Sequence, residues 1–208
     1  MTSKTNVNVC LTDEIRLEKA LKGAGVEKSA SVRKLTVCGK LTEADFCYIC
    51  ENMAETLLEL DLGDAVVENN ILDDACLGVI YVTINDRLEK IIDYSFRDCT
   101  GLISITIPKS VTIIRSAAFY GCTGLTSVTI PDTVTGIEFD AFGDCISLKS
   151  ITIPKSVTEI GDEAFSGCLG LTSVKILNPD IKIYKDTFKY CDASITIYPI
   201  PTLPFIWD

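Results

Sequence analysis

The chain has 208 residues, 47% of them hydrophobic, enough to fill a core, and it holds no apolar run of roughly 18 residues that could span a membrane. Its net charge of −10 argues against nucleic acid as a partner, because phosphate binding needs a basic stripe. Histidine is absent, which removes the usual general base, the commonest metal ligand and every Cys–His or Ser–His pair.

The N-terminal "MTSKTNVNVCLTDEIRLEKALKG" lacks the uninterrupted apolar segment of an export signal. Two expectations follow from it: a protein that stays inside the cell, or a mature form whose signal has been removed. No Asn-x-Ser/Thr sequon occurs. "TDEIRLEKALKGAG" (12–25) predicts a helix opened by Thr12 and closed near Gly23 or Gly25. Val32, Leu35 and Val37 then set an L-x-x-L-x-L frame that suits a short strand. "TEADFCYICENM" (42–53) predicts a second helix with Thr42 and Asp45 as its capping box. Cys47 and Cys50 form a C-x-x-C inside that helix. Zinc needs two more ligands than they supply, so they read as filling a helical face.

The frame returns at Leu57/Leu60/Leu62 and Val79/Val82/Ile84, and then becomes a strict repeat. Phe96, Phe119, Phe142, Phe165 and Phe188 are each 23 residues apart, as are Cys99, Cys122, Cys145, Cys168 and Cys191. Between them lie "LISITIP", "LTSVTIP", "LKSITIP" and "LTSVKIL", β-branched pieces of which three end in Pro108, Pro131 and Pro154, where no ladder donor is available. Each remainder, such as "KSVTEIGDEAFSGC", turns Val157, Ile160, Ala164, Phe165 and Cys168 inward around a bend and a short helical turn. A unit this small cannot bury its own apolar edge, so successive units must stack as a solenoid. Residues 35, 60, 82, 105, 128, 151 and 174 are then equivalent. A shortened rung at Ile195 and Ile197 makes about eight strands, a parallel sheet on the order of 35 Å long. The expected layout is one elongated α/β domain, with helices and first rungs over 1–65, repeats over 66–193 and a cap over 194–208. In that cap, Pro199, Pro201 and Pro204 block strand addition while Phe205 and Trp207 cover the open core.

The pattern A-F-x-x-C-x-x-L-x-S-[IV]-T-I-P-x-[ST]-V-T-x-I resembles the BspA-like leucine-rich repeat of bacterial and protozoan surface proteins, most closely over 91–183. Residues 32–65 also resemble the unit that precedes such repeats in Bacteroides-type members. The resemblance implies a right-handed leucine-rich-repeat horseshoe and adhesion to host or partner proteins at the cell surface or after secretion. No enzymatic activity or cofactor is expected, because histidine is absent and the carboxylates recur at loosely repeated turn positions with no paired constellation. Residues 73–84 are too short for a full A-F-x-x-C turn, which puts Cys76 at the phenylalanine position.

Five of the ten cysteines occupy one inward repeat position and read as a buried, reduced ladder, with no structural disulfide expected in the protein. The outward strand positions are Ile80, Tyr81 and Thr83; Ile103, Ser104 and Thr106; Thr126, Ser127 and Thr129; Lys149, Ser150 and Thr152; Thr172, Ser173 and Lys175. None is acidic. The carboxylates gather on the turns instead, at Asp98, Glu138, Asp140, Asp144, Glu159, Asp162 and Glu163. Threonine suits exposed strands on propensity alone. The functional reading is a hydroxyl-lined platform of Tyr81, Thr83, Ser104, Thr106, Ser127, Thr129, Lys149, Ser150, Thr152, Ser173 and Lys175, on which a monomeric chain binds a protein or glycoprotein. An intracellular interaction module is the alternative.

Overall fold

A strand whose alternate residues are apolar must find cover for them, and here each strand finds it in the next rung. The computed structural model describes residues 6–12, 14–53, 56–67, 81–84, 90–91, 93–192, 194 and 196–198. The N-terminal part runs β1 (Asn6–Leu11), α1 (Leu17–Gly23), a 3-10 turn at Ser29–Ser31, β2 (Lys34–Leu41), α2 (Glu43–Met53) and β3 (Glu59–Val67). The repeats follow as β4 (Tyr81–Ile84), β5 (Lys90–Ile91), β6 (Ser104–Thr106), β7 (Ile113–Ile114), β8 (Ser127–Thr129), β9 (Gly136–Ile137), β10 (Ser150–Ile153), β11 (Glu159–Ile160), β12 (Ser173–Ile176), β13 (Lys182–Ile183) and β14 (Thr196–Tyr198).

All pairings are parallel. One face carries β1-β2-β3-β4-β6-β8 and then β10-β12-β14, while the short strands form a second sheet in the order β5-β7-β9-β11-β13. The equivalences read from spacing are Cα partners: Leu35 with Leu60, Leu60 with Val82, Val82 with Ile105, Ile105 with Val128, and Ile151 with Val174. The described residues give this face one strand more than the eight expected. The addition is β1, whose "NVNVCL" alternates outward and inward as Val7, Val9 and Leu11 bury themselves against β2. Helices occur only in the N-terminal unit among the described residues. Of the expected C-terminal cap only Ser194 and β14 are described; its prolines, Phe205 and Trp207, together with Ile195, Cys76, Val79, Ile80 and the side chains of Cys47 and Cys50, lie outside the described residues, although α2 does contain the C-x-x-C.

The first helix is shorter than its pattern. Thr12 Oγ1 accepts the Ile15 N–H at 3.1 Å and so caps a turn, while α1 starts five residues later. Asp45 explains the delay. Its buried carboxylate accepts the Leu17 N–H at 2.8 Å, the Thr42 N–H and hydroxyl at 3.0 and 2.7 Å, and Arg16 Nη1 at 3.0 Å. One side chain thus closes the expected capping box on α2 and also satisfies the start of α1.

In the repeats, the expected short helical turn is a bend instead. Backbone donors that a helix would spend inside the turn run to the next rung: Phe96 N–H to Ala118, Phe119 to Ala141, Phe142 to Ala164 and Phe165 to Thr187, at 2.7–2.8 Å. The bend needs left-handed residues on both sides of the phenylalanine. Tyr94, Ala117, Asp140 and Glu163 hold φ of 52–62° on one side, and Asp98, Gly121, Asp144, Gly167 and Tyr190 hold φ of 54–70° on the other. Aspartate and glycine are residues that tolerate this region, and they dominate the second position. They also alternate, because a Cβ on Gly121 or Gly167 would collide with the Asp98 or Asp144 carboxylate of the preceding rung.

Phe96, Phe119, Phe142, Phe165 and Phe188 stack in one column, with centroids 5.1–5.6 Å apart and rings within 11° of parallel. The first four are fully buried. Beside them each thiol donates back to a phenylalanine carbonyl: Cys122 to Phe96, Cys145 to Phe119, Cys168 to Phe142 and Cys191 to Phe165, at 3.0–3.2 Å. Cysteine therefore supplies a small apolar body and a weak donor to a buried carbonyl. Burial, chiefly, pushes the Cys145 and Cys168 thiols well above their usual range and Cys191 up to about 11. Thiols held protonated in this way are inert.

The expectation of no disulfide fails at the N-terminus. Cys10 and Cys38 are joined as a disulfide, with Cα atoms 4.4 Å apart. They are direct cross-strand partners of β1 and β2, on the outward side of each strand. They lie 28 residues apart and outside the repeat, so only the pairing of β1 with β2 sets them side by side.

Phe142→Ala should destabilise the protein by about 3–5 kcal/mol, the usual range for a truncated core aromatic, in urea unfolding. A loss under about 1 kcal/mol would be incompatible with its position in the column. Alkylation of denatured, unreduced protein should label Cys99, Cys122, Cys145, Cys168 and Cys191, and should label Cys10 and Cys38 only after reduction. Alkylation of Cys10 without reductant would contradict the disulfide.

Candidate functional site

Parallel strands in register convert a repeated residue into a row. Thr83, Thr106 and Thr129 are successive Cα partners, and beyond a break in the ladder between β8 and β10 the row continues as Thr152, Lys175 and Tyr198. The row beside it runs Tyr81, Ser104, Ser127, then Ser150, Ser173 and Thr196. Ser104 is half-buried, and the other predicted platform residues, including Lys149, are exposed. No hydroxyl of these serines, nor of the four threonines from Thr83 to Thr152, has a hydrogen-bond partner among the described residues. Threonines one position outside behave differently: Thr126 and Thr172 donate back to the Ile103 and Lys149 carbonyls, at 3.2 and 3.3 Å. Threonine therefore both seals rung edges and lines the central rows.

The platform extends further than its repeats revealed. Tyr81 is preceded in its row by Glu59 and Lys34, which pair at 2.7 Å, and Thr83 by Asp61 and Thr36. Exposed Leu58, Tyr81 and Ile103 make the first rungs apolar and partly acidic, whereas Lys149 and Lys175 make the last ones basic. Rungs before β4 do not share the 23-residue period, so only the L-x-x-L-x-L frame could have placed them.

On the turns, the carboxylates meet aromatics and two arginines, Arg97 and Arg115. The Arg97 guanidinium lies 5.6 Å from the Tyr94 ring centroid and 5.5 Å from that of Tyr120. The Tyr120 hydroxyl donates to Asp144 Oδ2 at 2.7 Å, and this bond, with burial and nearby carboxylates, pushes its pKa up to about 12. Asp140 is half-buried between rungs. Burial first, then the charges of Glu163, Asp144 and Asp162, raise its pKa to about 6 despite Arg97. Glu138 is held by Arg115 at 2.9 Å. Among the described residues no group of three or more Cys, Asp or Glu is arranged to hold a metal ion, and no described helix is long and apolar enough to cross a membrane.

Residues 67–195 match the model of the BspA type leucine rich repeat region, in six copies. Among solved structures, the leucine rich repeat protein of T. pallidum is 28% identical over 57% of this chain and 57% of its own, with a TM-score of 0.52. A leucine-rich repeat protein from Bacteroides ovatus is 27% identical over 68% of this chain and 40% of its own, with a TM-score of 0.49. A leucine rich cell surface protein from Faecalibacterium prausnitzii is 26% identical over 72% and 34%, with a TM-score of 0.41. The chain thus covers less than two thirds of the length of each of these proteins. No curated protein matches it.

A carboxyl whose folded pKa is raised binds its proton more tightly folded than unfolded. Between the ordinary value of 3.8 and about 6, the folded state of Asp140 holds the extra proton, so its contribution to stability falls as pH rises through that window. Asp140→Asn mimics the protonated form and tolerates a left-handed backbone. It should melt above the parent protein at pH 7.5 and close to it at pH 3.5. A variant that melts below the parent at both would mean the charged carboxylate is favourable there.

Proposed function

The chain belongs to the BspA-type leucine-rich-repeat family, and from that premise we propose that it is a non-enzymatic binding scaffold that engages a protein or glycoprotein through its strand face. The observation that carries the reading is the pair of rows from Tyr81 and Thr83 to Ser173 and Lys175: hydroxyls in register, all but Ser104 exposed, without partners among the described residues and without a carboxylate on the repeat rungs. A surface fixed by stacked rungs loses little ordering entropy on binding, so weak contacts repeated along it can add. Lys149 and Lys175 orient a polar or acidic partner at one end, and Leu58, Tyr81 and Ile103 offer it apolar contact at the other.

The location we propose is the cell surface or the secreted fraction, with the chain acting as a monomer. The Cys10–Cys38 disulfide supports it, since such bonds persist in oxidising compartments. The five buried ladder thiols are compatible with that setting, because burial and protonation protect them. Their reduced state is what favours an intracellular module as the alternative. The redox state of Cys10 and Cys38 in protein isolated from its source separates the two.

Lys149→Glu with Lys175→Glu should abolish capture of partner proteins from extracellular-matrix and cell-surface extracts while leaving the melting temperature unchanged, since both side chains face water. Lys109→Glu with Lys155→Glu makes the same charge change at exposed turn positions and should leave capture intact. Equal capture by both variants would remove the strand face from consideration.

A further inference from the structure

The second sheet interrupts its own row of side chains once. Across β7, β9 and β11, residues Ile113, Gly136 and Glu159 are successive Cα partners, so a missing side chain falls between two large ones. The result is an open groove of about 440 Å³, floored by Gly136 and Ile137 and walled by Ile113, Phe139, Glu159, Asp162 and Tyr184. Phe139 is 48% exposed and Tyr184 37%, which is unusual for aromatics beside a packed core. Gly136 is not required by the backbone. It has no left-handed φ, and a Cβ built on it would meet nothing within 4 Å. A strand glycine without a conformational reason marks a place where something else comes close.

The groove's lining carries more acid than base. Arg115 holds Glu138 at its edge; Lys182 follows Glu159 in the same row but forms no ion pair with it, and the Asp162 carboxylate accepts only the Asp186 N–H at 3.1 Å among the described residues. Aromatic faces beside carboxylates that lack a direct ion pair fit a cation that brings an apolar stem with it. The chain's own charge of −10 disfavours a second copy as the occupant. We propose that the Gly136 notch receives the lysine or arginine side chain of an extended segment of a protein partner. The stem lies against Ile113 and over the bare backbone of Gly136, and the charge sits between the aromatic rings and the two carboxylates. This is a second docking surface, built on the other sheet from the threonine rows and independent of them.

The test is fluorescence anisotropy with the full chain and a fluorescein-labelled octapeptide alternating arginine and threonine, compared with its glutamate-for-arginine counterpart. The basic peptide should bind and the acidic one should not. Gly136→Leu, which fills the notch, and Glu159→Gln with Asp162→Asn should each weaken binding about tenfold with melting temperature unchanged. Phe139→Ala, at an exposed position, is the second variant should Gly136→Leu fold poorly, and it should weaken binding about fivefold. Glu27→Gln with Glu51→Gln, exposed acids in the N-terminal unit, should leave binding as it was. Undiminished binding by folded Gly136→Leu or by Phe139→Ala overturns the proposal. So does an equal loss in the distant pair, which would mark diffuse attraction to an acidic chain, and so does no binding of the basic peptide to the parent protein. Loss in Lys149→Glu with Lys175→Glu but not at the notch would assign the peptide to the strand face instead.

Discussion

The whole structure depends on each rung hydrogen-bonding the next at a separation that also lets phenylalanines stack. Ring centroids 5.1–5.6 Å apart are close to the roughly 4.8 Å spacing of parallel strands, so the backbone ladder and the aromatic column share one repeat distance. The Phe N–H groups bond forward to the next rung, and the Cys thiols bond back to the Phe carbonyls of the previous one. These bonds leave the bend no internal helix. They go with two left-handed residues in each of the four turns around Phe96, Phe119, Phe142 and Phe165, the second of which alternates as Asp98, Gly121, Asp144 and Gly167.

The same constraint sorts the surface. Inward positions vary little from rung to rung because a column accepts one shape: Leu102, Leu125, Leu148 and Leu171 are all fully buried. Thr187 replaces the buried alanine of Ala118, Ala141 and Ala164 only because its hydroxyl donates to the Gly161 and Tyr184 carbonyls. Outward positions carry no such restriction. The strand face can therefore be hydroxyl-rich and the turns acidic within one chain, and burial first, with the crowding of carboxylates second, shows its cost in the raised pKa of Asp140. A break such as Gly136 is conspicuous because the rungs on either side of it are filled.

The amino-acid sequence by itself determined the repeat, because a 23-residue period in phenylalanine, cysteine and β-branched residues can be buried only by stacking. It placed the phenylalanine and cysteine columns, the strand stops at proline, the capping role of Asp45, the row of Thr83, Thr106, Thr129, Thr152 and Lys175, and the row of Ser104, Ser127, Ser150 and Ser173 beside it. All of these follow from period and from residue chemistry acting over a few positions. Tertiary structure alone decided what depends on neighbours without a period. β1 is a rung only because β2 offers it an edge, and with β1 comes the contact between Cys10 and Cys38. The helix α1 starts late because Asp45, 28 residues downstream of Leu17, satisfies its first donor. The bend is not helical because its donors find acceptors one rung away. The groove at Gly136 exists because Ile113 and Glu159 flank it from adjacent rungs, a juxtaposition that no local stretch of sequence contains.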